Sequence, residues 1–185
     1  MDRRRFLRAS VLAGAVLGAA AGPAAAHTPY RQWRVFRQRH LLITTSRTDP
    51  RGDALGDRFA EVLLQELPES RAMVSRAIDL RRIASLMTTD QANIAVLEHA
   101  TAVALARGDP PFADYGPFAL QAMVRTEAHC LVCREDVPLH HGYLIVATLM
   151  AHGEALGIRI PEPGELSLHP GAAAFARGEA IEPPQ

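Results

Sequence analysis

The sequence predicts one α/β domain with a mostly parallel sheet flanked by helices. Short apolar runs alternate with segments of helical period between residues 41 and 108, an order typical of parallel strands joined by crossover helices. One of these runs, ANIAVL at 92–97, is almost wholly apolar, as in a strand covered on both faces. Residues 27–185 fit one domain with a real core, not two.

The first predicted strand lies in WRVFRQRHLLITTS at 33–46, which alternates before it turns apolar. TDPRGD then predicts a turn, because proline and glycine favour turns. From Asp53 the spacing predicts a helix that Asp53 caps and Pro68 ends. Its apolar stripe consists of Leu55, Phe59, Val62, Leu63 and Leu67.

The middle of the chain repeats this alternation. RAMVSRAI at 71–78 predicts a second strand, and a helix follows at 79–87 with Asp79 as its N-cap. After the apolar strand, an alanine-rich helix at 100–108 should end at Gly108.

The last third predicts a loop at 109–117, then two strands in FALQAMV and CLVCR. LHHGYLIVATLMAHG at 139–153 predicts a helix. The final helix spans 169–178, with Pro170 at or near its first position.

The amino terminus has the pattern of an export signal. Paired arginines precede an apolar run and an A-x-A-type cleavage site, which favours the twin-arginine translocase as the export partner and the periplasm as the destination. The residues of this pattern are Arg3, Arg4, Phe6, Leu7, Ala24 and Ala26. We therefore expect a signal peptide at 1–26 and a mature domain at 27–185. A short membrane anchor is the alternative, but the apolar run is far below the ~20 residues of a bilayer span.

Composition excludes several function classes. The formal net charge is zero, and removal of the arginine-rich leader leaves a slightly acidic chain, so nucleic-acid binding is not expected. The chain has no lysine, which excludes Schiff-base chemistry and a Walker-type phosphate loop. It also has no G-x-S-x-G or H-E-x-x-H motif. We expect no cofactor and no enzymatic activity.

Cys130 and Cys133 have C-x-x-C spacing, which raises the question of a haem, redox or metal site. Arg134 stands where a c-type haem needs histidine, and zinc cages normally use two such pairs. On a strand, residues three apart point to opposite faces, so we expect two small buried residues. A disulfide or metal site stays open because export leads to an oxidising compartment. His140 and His141 are neighbours on a predicted helix, so they should chelate poorly together.

His27 offers a second function. Cleavage after Ala26 would make it the new amino terminus, and a free amine beside an imidazole can chelate copper. The alternative is that cleavage simply falls before a histidine.

Several segments together resemble a known family. GDRFAEVLLQELPES, RRIASLMTTDQANIAVLEHATAVALARG and PFADYGPFALQAMV are similar to the first lobe of TAXI-type periplasmic solute-binding proteins of tripartite transporters. DVPLHHGYLIVATLMAHG and LSLHPGAAAF resemble that family's closing segment. The resemblance covers most of residues 41–178 and implies one lobe of a type II periplasmic-binding-protein-like fold.

The resemblance also implies that a lobe is missing. Family members insert a second α/β lobe between the two segments that match here, whereas this chain passes directly from FALQAMVRT to EAHCLVCREDVP. Two-lobe binders trap ligand by hinge closure, so a lone lobe offers only an open half-site.

In open parallel sheets, ligands bind beyond the carboxyl ends of the strands. The residues predicted there are Thr44, Thr45, Ser46, Asp79, Glu98 and His99. By resemblance, the family has a G-S stretch where this chain has 77–79. Asp79 and Glu98 should repel an anionic ligand but not a cation or a partner's basic group. Capping and surface solvation are the alternative roles of these two residues.

Three functions follow in order. The first is an exported, single-lobe binding protein for transport or sensing, or an accessory subunit that docks on a membrane transporter or a periplasmic complex. The second is a copper- or metal-handling protein built on His27, and an enzyme ranks last.

Overall fold

A six-stranded sheet organises residues 40–181, which are the residues that the computed structural model describes. The strands are β1 (Leu42–Ser46), β2 (Met73–Ala77), β3 (Ile94–Glu98), β4 (Leu120–Arg125), β5 (His129–Arg134) and β6 (Ser167–Leu168). The helices are α1 (Pro50–Glu66), α2 (Leu80–Thr88), α3 (His99–Arg107), α4 (Leu139–Ala151), α5 (Gly153–Leu156) and α6 (Pro170–Ala176). Short 3-10 turns lie at Pro68–Ser70 and Ala113–Tyr115.

The strand order is β2-β1-β3-β5-β4-β6. β1 is parallel to β2 and β3, and β4 is parallel to β6, whereas β5 is antiparallel to both of its neighbours. The predicted α/β class with a mostly parallel sheet is therefore confirmed. β5 is antiparallel because only three residues separate it from β4, which is enough for a hairpin but not for a crossover connection.

Each face of the sheet carries its own hydrophobic core. Residues from α1 and α4–α6 pack on one face with Ile43, Ile94 and Val96, and residues from α2 and α3 pack on the other with Ala95 and Leu97. Successive residues of β3 thus enter opposite cores. The prediction of a strand buried on both faces is confirmed, since all four residues from Ile94 to Leu97 are at most 2% exposed.

α1 begins earlier than the sequence indicated. Asp49 is its N-cap, accepting a hydrogen bond from the Gly52 N–H at 3.0 Å, and Pro50 occupies the first turn. The prediction of a turn through Pro50 and a cap at Asp53 was wrong, because proline fits the first turn of a helix, where no N–H is needed. Asp53 instead lies inside that turn.

The other helix boundaries agree closely with the pattern. The Asp79 carboxylate accepts a hydrogen bond from the Arg82 N–H at 2.7 Å and caps α2. Gly108 ends α3 with a φ of 70°, in the left-handed region that glycine tolerates best. Pro170 is the first residue of α6.

The two-residue strand β6 was not predicted. It pairs with β4 through Ser167 and Leu168, and it is too short to produce a recognisable alternation. Predictions that concern residues 1–39, namely the export signal, His27 and the first part of the 33–46 segment, lie outside the described residues. Of the helices in the described part of the chain, none has the length and apolarity that a membrane crossing requires.

Candidate functional site

A crevice lies where the carboxyl ends of β1, β2 and β3 meet the starts of α1, α2 and α3. The chain leaves β1 toward β2 on one side, and leaves β3 toward β4 on the other. α1 and α3 also pack on opposite faces of the sheet. The boundary between β1 and β3 is therefore a topological switch point, the place where open α/β sheets bind ligands.

This strand-tip crevice has a volume of about 390 Å³. The loop from β1 into α1 forms one wall, and the starts of α2 and α3 form the others. Its lining residues are Thr48, Asp49, Pro50, Arg51, Leu80, Glu98 and Thr101. Five of these seven residues have polar or charged side chains, which supply hydrogen-bonding groups, although most of the surface exposed in the crevice is apolar.

Asp49 and His129 form the buried anchor of the crevice. The Nε2 atom of His129 lies 2.9 Å from Asp49 Oδ2, and His129 is 8% exposed at the start of β5. The other oxygen of Asp49 caps α1. The Asp49 carboxylate thus links the start of α1 to the start of β5 and also caps α1.

A second network of hydrogen bonds and ion pairs joins α1 to β1 and β2 behind the crevice. Thr45 Oγ1 donates a hydrogen bond to Asp53 at 2.6 Å, and Arg76 on β2 lies 3.0 Å from the same carboxylate. Partial burial acts to raise the pKa of Asp53, but the hydrogen bonds from Thr45 and Arg76 outweigh it and hold that pKa below its ordinary value of 3.8. Arg76 also reaches Asp57 on the next turn of α1.

The predicted polar residues of β1 face the protein rather than the crevice. Thr44, Thr45 and Ser46 are each at most 2% exposed. Ser46 Oγ lies 2.8 Å from Thr48 Oγ1, so Ser46 shapes the crevice through the hydroxyl of Thr48. None of the three lines the crevice.

Glu98 and Arg51 are the charges that the crevice presents outward. Both side chains are exposed, and neither forms an ion pair with another described residue. Asp79 lies at the start of α2, beside the crevice residue Leu80, with its carboxylate engaged as the helix cap. The site therefore has one carboxylate and one guanidinium available, not the two carboxylates that the sequence indicated.

His99 points away from Glu98, into a different cluster. Its Nδ1 lies 3.4 Å from Cys130 Sγ, and its Nε2 lies 3.7 Å from the Glu165 carboxylate. Cys130 is only 1% exposed, and burial raises the pKa of its thiol although Arg125 and Arg159 act against this. A buried thiol with a raised pKa is a poor nucleophile. The cysteine, histidine and glutamate are arranged in the order of a catalytic triad, but the thiol is not accessible to a substrate.

The two cysteines have the separation that strand geometry predicts. Cys130 packs in one core and Cys133 in the other, and neither is in a disulfide. Burial raises the pKa of Cys133 to about 12. The His140 and His141 rings lie 4.1 Å apart in a tilted arrangement. Within residues 40–181, no group of three or more histidine, cysteine or acidic side chains is placed to hold a metal ion.

No protein-family model matches this chain, and no curated protein matches it.

Sequence reasoning missed the residues that build the crevice between β1 and α1. Asp49, Arg51 and Thr48 were assigned to a turn, and the pairing of Asp49 with His129 spans 80 residues. The Asp-Pro dipeptide at 49–50 was the available signal, since aspartate before a first-turn proline is typical of a helix start. Nothing in the sequence indicated His129 as its partner.

Proposed function

We propose that the mature chain is an exported binding protein consisting of one α/β lobe, which docks on a periplasmic partner protein through its strand-tip crevice. The observation that carries this proposal is the crevice itself, lined by Arg51, Glu98 and two threonines at the topological switch point. A lone lobe leaves these groups open to a partner's side chains rather than enclosing a solute.

The charges of the crevice favour an occupant with both signs. Glu98 would receive a basic group and Arg51 an acidic one, while Thr48 and Thr101 supply hydroxyls that can donate or accept. Because Glu98 and Arg51 pair with no other described residue, docking would not have to break an existing ion pair of this domain. Complementary charges of this kind set specificity and association rate more than raw affinity.

The resemblance to TAXI-type solute-binding proteins supports a lobe that works without a second one. The resemblance places the second lobe between β4 and β5, and here only residues 126–128 connect these strands. The turn is held by hydrogen bonds, including one from the His129 N–H to Thr126 Oγ1 at 2.9 Å. Descent from a two-lobe binder would leave a domain with the same sheet and an uncovered binding edge.

Two measurements separate docking from solute capture, one on the purified mature protein, residues 27–185, and one on the periplasmic fraction. A thermal-shift screen against amino acids, dicarboxylates and divalent cations should give no ligand that raises the melting temperature. Size-exclusion chromatography of the periplasmic fraction should place the native chain in a larger complex. The variant carrying Arg51→Ala and Glu98→Ala should run as a free domain.

Two results would contradict this proposal. A tight-binding small solute would favour a transport or sensing role with direct ligand capture. Elution of the native chain as a free domain would show that it has no stable partner protein in that fraction.

The copper-handling alternative depends on His27, which lies outside the described residues. Its support is the position of His27 directly after the predicted cleavage site. Copper titration of the mature protein tests it, with a control that carries one extra residue before His27. Binding that disappears in the control would favour copper handling.

A further inference from the structure

A second cavity lies at the opposite end of the sheet, where β1 and β3 begin. Its volume is about 510 Å³. The end of α1, the starts of β1 and β3, and α4 form its walls. We call it the amino-end groove, and its main apolar lining residues are Leu41, Leu67, Ile94, Val137, Leu144 and Ile145.

The groove leaves apolar surface open at its edge. Leu144 is 42% exposed, although it projects from α4 beside the buried Ile145. Leu41 and Leu67 are only half-buried against the core below the groove. Burying these walls against an apolar segment would be favourable, because it removes apolar surface from water.

Two carboxylates stand among these apolar walls. Glu69 lies in the turn after α1, and Asp136 lies in the loop before α4, and both are exposed. Asp136 is paired with Arg134 at 2.9 Å, so its loop is held in place. The groove lining contains no arginine, but Arg134 already pairs with Asp136, so Glu69 is the lining carboxylate that has no ion pair with another described residue.

The chain itself supplies a complementary segment at this position. Residues 34–39 read RVFRQR, with two apolar side chains, three arginines and no acidic residue. They directly precede His40, which lines the groove. Fully extended, six residues reach roughly 20 Å, which is enough to cross a cavity of this size.

We propose that residues 34–39 occupy the amino-end groove, with Val35 and Phe36 against its apolar wall and the arginines toward Glu69. The tether makes this occupant favourable, because an adjacent segment binds at a high effective concentration without losing the freedom of a separate molecule. The segment would then cover the lower end of the domain and leave the strand-tip crevice as the open binding edge. This inference does not depend on what the crevice binds.

Limited trypsin digestion of the mature protein tests this directly, since Arg34, Arg37 and Arg39 are cleavage sites within the segment. Leu144→Asp places a charge in the groove at an exposed position, so the fold should survive, as circular dichroism can check. We expect cleavage after Arg37 and Arg39 to become about tenfold faster in this variant, equivalent to about 1.4 kcal/mol of docking. Leu64→Asp is the matched control, because Leu64 is 49% exposed and lies outside the groove.

A fluorescence measurement gives an independent readout. The chain has one tryptophan, so Trp33→Phe combined with Phe36→Trp moves the only indole to the proposed contact. Its emission should be blue-shifted in the native protein and should return to that of the unfolded chain when Leu144→Asp is added. Leu64→Asp should leave the emission unchanged.

Three results would overturn the proposal. The first is equal cleavage rates in the native protein and the Leu144→Asp variant. The second is an emission maximum at position 36 that matches the unfolded chain. The third is protection that disappears on tenfold dilution, because that would identify a second copy as the occupant.

Discussion

Replacing Asp49 by alanine should destabilise the domain more than the loss of an ordinary helix cap. The change removes the hydrogen bond to the Gly52 N–H, and loss of an N-cap costs about 0.5–2 kcal/mol. It also deprives His129 of its partner at 2.9 Å, and an unsatisfied buried polar group costs about 1–3 kcal/mol. Because His129 is 8% exposed, water cannot readily replace the carboxylate. We expect a total loss of about 2–4 kcal/mol in the free energy of unfolding.

Asp79→Ala is the control for this prediction. Asp79 caps α2 by the same kind of bond, at 2.7 Å, but no hydrogen bond joins its side chain to a buried histidine in the described domain. Urea unfolding followed by circular dichroism gives both free energies, and their difference isolates the His129 contribution. If Asp49→Ala cost no more than Asp79→Ala, the Asp49–His129 bond would not anchor the crevice, and this reasoning would be refuted.

Three further predictions concern buried positions. Gly142→Ala should cost about 1–3 kcal/mol in urea unfolding, because a Cβ there would overlap the His169 ring, whereas Gly164→Ala should be nearly neutral since nothing crowds it. Burial holds the pKa of His169 below its ordinary 6.5 although its hydrogen bond to a backbone carbonyl acts against this, so the unfolded state takes up protons first. The contribution of His169 to the free energy of unfolding should therefore be constant above about pH 6.5 and fall as the pH drops below that value. NMR titration of the imidazole and unfolding at several pH values would show this. An imidazole that titrates above pH 6.5 would contradict it. Iodoacetamide at pH 8 should leave Cys130 and Cys133 unmodified in the native protein and label both in urea, and rapid labelling of the native protein would show that the cores open.

The strand and helix order could be predicted because hydrophobic periodicity reports burial directly. Residues 94–97 are apolar because both faces of β3 are covered, and the helix caps at Asp79 and Gly108 follow from local backbone chemistry. These are local requirements, so a single sequence contains them.

The composition of the crevice could not be predicted in the same way. The strand order brings Arg51 and Glu98 to one crevice, and only the folded chain brings His129 against Asp49. The orientation of the Thr45 side chain also depends on tertiary structure, because its hydroxyl donates a hydrogen bond to Asp53 rather than facing solvent or a ligand. Side chains at the end of a strand can point into the protein or out of it, and sequence period does not distinguish the two.

Site-specific photocrosslinking tests the central claim, that this lobe docks through its strand-tip crevice. A benzophenone amino acid at Thr101, which lines the crevice, should give a discrete adduct between the mature chain and a protein in the periplasmic fraction. The same probe at Leu64, on α1 and outside the crevice, should give none, and Arg51→Ala with Glu98→Ala should abolish the adduct at Thr101. No adduct at Thr101, or equal adducts from both positions, would contradict the account.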